Sequence, residues 1–211
     1  MIILFNNGEE LLTICNKENK KIYEVVLEKE MDQTGKPIEE IRNLMKENLN
    51  VMIESSNHAL DKNIISVSGL IGGQANKVKR YSENNKTLCG DLINIAMARS
   101  LSTSEVNASM GKIVAAPTAG ASGILPSAII TTAEKFDLGK EEMINSLFTA
   151  AGIGEIVAKN ATISGAYGGC QAECGVAAAM AAASIVEMLG GNPEACLHAA
   201  SISIVNVLGL V

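Results

Sequence analysis

The sequence has 211 residues, 47% of them hydrophobic and only 19% charged, which excludes a disordered chain and leaves enough length to bury a sizeable core. The formal net charge is −6 with no long basic run, so nucleic acid is not an expected partner. Aromatic residues are 3% and Trp is absent, so the core must come from Ala, Ile, Val, Leu and Met, and the helix-forming bias of Ala, Leu and Met predicts an all-α, multi-helix bundle.

Two textures follow one another within a single domain spanning 1–211. Residues 1–65 are charged and amphipathic, and 66–211 are rich in Gly, Ala and Ser. The opening MIILFNNGEE lacks the basic region of a signal peptide. Asn7 is placed to cap a short helix over 9–15, and a second helix is expected over 20–31. Pro37 suits the first helical position, with Glu39 and Glu40 in the first turn. Ile38, Ile41, Met45, Leu49 and Met52 recur every three or four residues and mark a buried helix face running to about Leu60.

SGLIGGQANK (68–77) then breaks the periodicity, and Gly69, Gly72 and Gly73 indicate a loop. Helical texture resumes over 90–100, extending towards Val106. Ile113 to Ala116 has the look of a strand, but PTAGASG (117–123) follows as a tight loop, and a helix from Ile124 carries Pro126 in its first turn. Another helix is expected from about Asp137 through Phe148. Residues 160–170 read as a Gly-rich loop and 175–189 as a buried, Ala-rich central helix with almost no polar face, stopped by Gly190 and Gly191. Asn192, Pro193 and Glu194 supply the cap, first proline and first-turn acid of a last helix. The longest uncharged stretch, between Lys112 and Glu134, is interrupted by Pro117, Gly120, Gly123 and Pro126, which makes a poor membrane span. A cytoplasmic protein without a membrane partner is expected.

Two segments are candidates for chemistry. In PTAGASG the glycines allow close backbone approach, and Thr118 and Ser122 add hydroxyls. Such a helix N-terminus can bind an anion such as a carboxylate, or can be a tight turn with a capping Ser. It is not a Walker loop, because no Gly-Lys-Ser/Thr follows. In NATISGAYGGCQAEC (160–174), Cys170 ends a Gly-rich stretch, where backbone N–H groups favour a metal-binding thiolate. Cys174 lies four residues on and shares its face on one helix; spacing alone favours a pair of buried thiols. The odd cysteine count argues against a disulfide framework. Cys15, Cys89, Cys196 and the Met residues read as core, His58 and His198 as surface or satisfied histidines, and Lys77 as solvated. Glu173 beside the cysteines is a candidate base or a neighbour supporting a ligand.

Together SGLIGGQANK, SEVNASMGKIVAAPTAGASGILP, NATISGAYGGCQAECGVAAAMAAA and the terminal LGLV resemble the α subunit of bacterial iron–sulfur L-serine dehydratases over nearly the whole chain. The resemblance implies conversion of L-serine to pyruvate and ammonia at a [4Fe–4S] cluster, with Cys170 as a ligand; no ligand role carries over to Cys174. It implies an oligomer with a separate β subunit. For that reaction Thr118, Gly120, Ser122 and Gly123 are the expected contacts of the substrate carboxylate, with Asn160 and Ser164 as second-choice polar contacts; the resemblance identifies no base, and Glu173 is the candidate. In such proteins LGL-x is followed by a Cys-Asp-Pro-Val-Ala-Gly motif, so ending at Val211 implies a truncated chain that lacks two of three ligands and is inactive alone. The competing readings are a non-catalytic helical binding or assembly module and a pyridoxal-phosphate dehydratase, for which Lys112 after Gly111 would have to serve on an α/β fold.

Overall fold

Asn7 starts the first helix by side-chain capping. Its Oδ1 accepts the Glu10 N–H at 2.9 Å, while Glu10 reaches back to accept the Asn6 N–H at 2.7 Å. The computed structural model describes residues 3–208, and among them all regular structure is helical. The helices are α1 (Gly8–Glu18), α2 (Ile22–Thr34), α3 (Ile38–His58), α4 (Gln74–Asn84), α5 (Gly90–Ala108), α6 (Ile124–Lys135), α7 (Lys140–Asn160), α8 (Gly165–Met188) and α9 (Pro193–Val207). The all-α expectation therefore holds. The described residues show no strand–helix alternation, only an isolated bridge between Ile65 and Gly72. A pyridoxal-phosphate enzyme of α/β type is not what this chain forms.

Several boundaries differ from those the sequence predicts. Pro37 caps α3 from just outside it, with ψ 151°, rather than opening its first turn. Ile38 at the edge of the α3 stripe is exposed, whereas Ile41, Leu49 and Met52 are buried. The helix α4 is unexpected from the pattern, because its sequence QANKVKRYSEN is nearly all polar and buries only Ala75. It is held from outside: Glu105 on α5 accepts the Gln74 and Ala75 N–H groups at 2.5 and 3.2 Å and so closes its N-terminus. Asp137 takes a left-handed conformation, and α7 begins only after Gly139.

The largest departure is at 160–170. Asn160 ends α7, and α8 starts at Gly165, well before the predicted 175. Gly169, with φ 75° and ψ 175°, interrupts α8 without ending it. That φ suits glycine and few other residues. Cys170 therefore opens the long segment of the helix instead of closing a loop.

The second half of α8 is the buried centre the Ala-rich pattern predicts, and it packs on α6, α7 and α9. It is the one described helix long and apolar enough to cross a membrane, yet here it forms the core of the bundle. One hydrophobic cluster runs from Phe5 through Val25, Leu49, Ile129 and Phe148 to Ala183 and Ala200, joining both textures of the sequence. Each fully buried aliphatic or aromatic side chain there contributes about 1.5–3 kcal/mol. By contrast α5 is fixed to its neighbours largely by polar contacts. The Ser102 hydroxyl donates to Ser55 O and accepts the Ala59 N–H, and Arg99 reaches Thr131 and Glu134 on α6.

Candidate active site

The turn 117–123 joins an extended approach to α6, and the Ala116–Pro117 peptide is cis. Its interior residues are used to build the turn. Ser122 is buried and its hydroxyl donates to Ala119 O at 2.7 Å. Gly123 caps α6 with no side-chain hydrogen bond, so the serine is not the cap. A Cβ on Gly123 would meet Ser100 O at 2.6 Å, so this glycine lets the turn press on α5. Asn107 on α5 adds a hydrogen bond to Ala119 O at 3.3 Å.

The outer residues of the turn face α8. Thr118 Oγ1 donates to Glu173 Oε2 at 2.5 Å. A Cβ on Gly120 would lie 2.6 Å from Glu173 Oε1, and one on Gly165 would lie 2.9 Å from the same carboxyl carbon. Glu173 is thus clasped by a threonine hydroxyl and two glycine backbones, and side chains at either glycine would displace it. The turn thus faces a carboxylate supplied by the protein itself.

One turn before Glu173 stands Cys170, exposed, and one residue after it Cys174, half-buried. Their sulfurs are 3.6 Å apart, on the shared face that four-residue spacing predicts. Burial, followed by the contact with Cys170, pushes the Cys174 thiol up to about 11. Neither is the buried thiol that spacing alone favours. Among the described residues no group of three or more His, Cys, Asp and Glu side chains is placed to hold a metal ion.

The chain matches the family described as "Serine dehydratase alpha chain" over residues 17–211. It is 47% identical to the L-serine dehydratase alpha chain of Peptoniphilus asaccharolyticus, covering 99% of this chain and 71% of that one. Identity is 45% to the probable L-serine dehydratase alpha chain of Bacillus subtilis, over 99% and 69% of the two chains. It is 31% to L-serine dehydratase 1 of Escherichia coli, over 98% of this chain and 46% of the longer relative. The chain belongs to the serine dehydratase alpha-chain family.

In this family member, three of the motifs that carry the resemblance meet around α5. The 68–77 motif rests on it through Glu105 and through the Val67 N–H bond to Ala108 O, the 117–123 turn through Ser100 and Asn107, and α8 reaches that turn through Glu173. The terminal LGLV motif begins at Leu208, and its last three residues lie outside the described ones. Not every predicted site residue joins the cluster. The Asn160 amide donates to Asn6 O at 2.6 Å and Ile156 O at 2.8 Å, which ties down the N-terminal segment. Ser164 caps α8, accepting the Ala166 N–H at 3.3 Å.

Among the remaining residues, Cys15 and Cys196 are buried as expected, and burial pushes both thiols up to about 12. Cys89 is exposed in the α4–α5 connection and is not a core residue. Met97 and Met110 are likewise exposed. His58, His198 and Lys77 are at the surface. The pattern gives no hint of four buried charged groups, of which Arg99 is paired with Glu134 on α6. Glu187, on the supposedly apolar α8, accepts the Ile22 and Tyr23 N–H groups and the Thr149 hydroxyl. Lys29 is 1% exposed and pairs with Glu155. Glu105 keeps Oε2 buried and without a partner among the described residues.

Proposed function

We propose that this chain is the α component of an enzyme that deaminates L-serine to pyruvate and ammonia, with a β component completing the active unit. The single observation that carries the reading is the Thr118–Glu173 contact at 2.5 Å, which joins the anion-competent turn to the helix segment bearing Cys170. Relatives at 45–47% identity carry the name L-serine dehydratase alpha chain, in support of the substrate.

A [4Fe–4S] cluster is part of this reading. The exposed Cys170 thiol fits one thiolate position at such a cluster. The described residues do not form a complete ligand set, so other ligands come from outside them. When bound, the cluster supplies a Lewis-acidic iron for the substrate hydroxyl.

The chain's own residues account for the remaining steps. The carboxylate of L-serine sits against the 117–123 turn, whose shape Ser122 and Gly123 fix, while the bare backbone at Gly120 leaves room for Glu173. Thr118 orients Glu173 by donating to Oε2. That leaves Oε1 to take the α-proton as general base. Ser164 positions the start of α8, and Asn160 holds the preceding connection.

The test is anaerobic reconstitution of the chain and its β partner with iron and sulfide, followed by assay of pyruvate from L-serine. Cys170→Ala is expected to lose bound iron and turnover together. Full iron content and turnover in that variant would overturn the assignment. A fully loaded wild-type complex without turnover would favour the non-catalytic assembly role instead.

A further inference from the structure

We propose that Cys170 and Cys174 form a reversible thiol–disulfide pair, a redox modification site that stands on the geometry of the two thiols and requires no bound metal. Their sulfurs are 3.6 Å apart, and Cys170 is open to solvent while Cys174 is half-buried behind it. The other cysteines offer no comparable pair in the open, because Cys15 and Cys196 are buried and Cys89 lies in the α4–α5 connection.

Helix geometry permits the bond and makes it labile. Residues four apart on a helix have Cα atoms about 6 Å apart, inside the range of about 4.4–6.8 Å for disulfides. Their Cβ atoms are about 5–6 Å apart on a regular helix, longer than the roughly 4 Å a relaxed disulfide prefers. The bond therefore pulls on the helix. Gly169, with φ 75°, breaks the helix immediately before Cys170, so Cys170 lies in a first turn that is free to tighten. A disulfide closed under strain is readily reduced, as a switch requires.

The oxidant is a hydroperoxide. The exposed Cys170 thiolate attacks one peroxide oxygen and the O–O bond breaks, giving a sulfenic acid at Cys170 and, for hydrogen peroxide, one water. The Cys174 sulfur then attacks the Cys170 sulfur. The S–S bond forms, the S–O bond breaks, and the hydroxide leaves as a second water with the proton from Cys174. Two thiols are oxidised by two electrons, and one peroxide is reduced to two waters. A small dithiol reverses the change. While the bond stands, the Cys170 sulfur is withheld from any metal, and the segment around Glu173 is cross-linked.

Glu173 makes the test direct, because it lies between the two cysteines. Cleavage after glutamate separates fragments 156–173 and 174–187. The full chain, reduced and freed of metal by a chelator, is treated with equimolar hydrogen peroxide, alkylated and cleaved. The expected result is loss of two free thiols per chain, with these two fragments joined until a dithiol is added. Cys174→Ser is expected to show no joined fragments and to leave a sulfenic acid at Cys170 that a dimedone-type reagent traps. Oxidation of wild-type Cys170 to the sulfinic acid without fragment joining would overturn the proposal. So would joining of two 156–173 fragments from different chains.

Discussion

Glu187 on α8 accepts the backbone N–H of Ile22 at 2.7 Å, closing the N-terminus of a helix 165 positions earlier in the chain. Its other oxygen takes the Tyr23 N–H at 3.3 Å and the Thr149 hydroxyl. Glu187→Ala would leave these buried donors unsatisfied. Each such donor costs about 1–3 kcal/mol, so the variant should lose about 3 kcal/mol in chemical denaturation. Glu187→Gln should be only partly better, because its amide nitrogen would face donors where the carboxylate accepts. A loss under about 1 kcal/mol in both variants would contradict this role.

The same residue gives a pH signature. Burial pushes the Glu187 carboxyl above its ordinary value of 4.5, against the pull of its hydrogen bonds to Thr149, Ile22 and Tyr23. The folded state therefore binds the proton more tightly than the unfolded chain. Its contribution is fully present below 4.5 and declines as pH rises through the raised folded value. The stability difference between wild type and Glu187→Gln should shrink over that window as pH rises. A difference that grows with pH would reverse the sign.

Lys29 and Glu155 form a second long-range contact through Glu155 Oε1, and Lys159 reaches the same oxygen at 2.8 Å. Burial raises the Glu155 carboxyl, but the two ammonium groups outweigh it and hold the group below its ordinary range. The partners are not equivalent. Lys29 is 1% exposed, so Glu155→Ala strands a buried ammonium, with the Phe5 ring 4.5 Å away as a weak offset to its charge. That change should cost about 3 kcal/mol or more. Lys29→Met fills the same space and leaves Glu155 paired with Lys159, so it should cost far less. Denaturation midpoints for the two variants check the order; equal losses would contradict it.

How much of this was legible in the sequence depended on whether the signal was local. Asn7 and Asn192 could be read because a cap hydrogen-bonds within its own first turn. The Ala-rich centre of α8 could be read because burial leaves a compositional trace. The helix α4 could not, because what holds its N-terminus is Glu105, about thirty positions away. The kink at Gly169 was hidden among neighbouring glycines that do not bend the chain in the same way. In the candidate site, PTAGASG and Cys170 stood out by composition and resemblance. The contact that joins them, Thr118 to Glu173, spans 55 positions and has no periodic signature.

That contact supports the most specific prediction about turnover. Thr118→Val keeps the side-chain shape and removes the donor to Glu173 Oε2. Gly120→Ala places a Cβ within 2.6 Å of Oε1 and must push the carboxylate aside. Glu173→Gln removes the proton acceptor altogether. If Glu173 is the base, the complete enzyme should lose about 10²–10⁴-fold in kcat with Glu173→Gln, which is the usual scale for general-base catalysis. Thr118→Val should lose about tenfold, the equivalent of one hydrogen bond. Gly120→Ala should fall between them. Thr118 and Gly120 lie on the turn and Glu173 on the first part of α8, none of them buried, so unfolding midpoints should stay within about 1 kcal/mol of wild type. Steady-state kinetics alongside denaturation separates the two effects. Unchanged kcat in Glu173→Gln would remove Glu173 from the proton transfer, and a proportional loss of stability in Thr118→Val would make the contact a structural one.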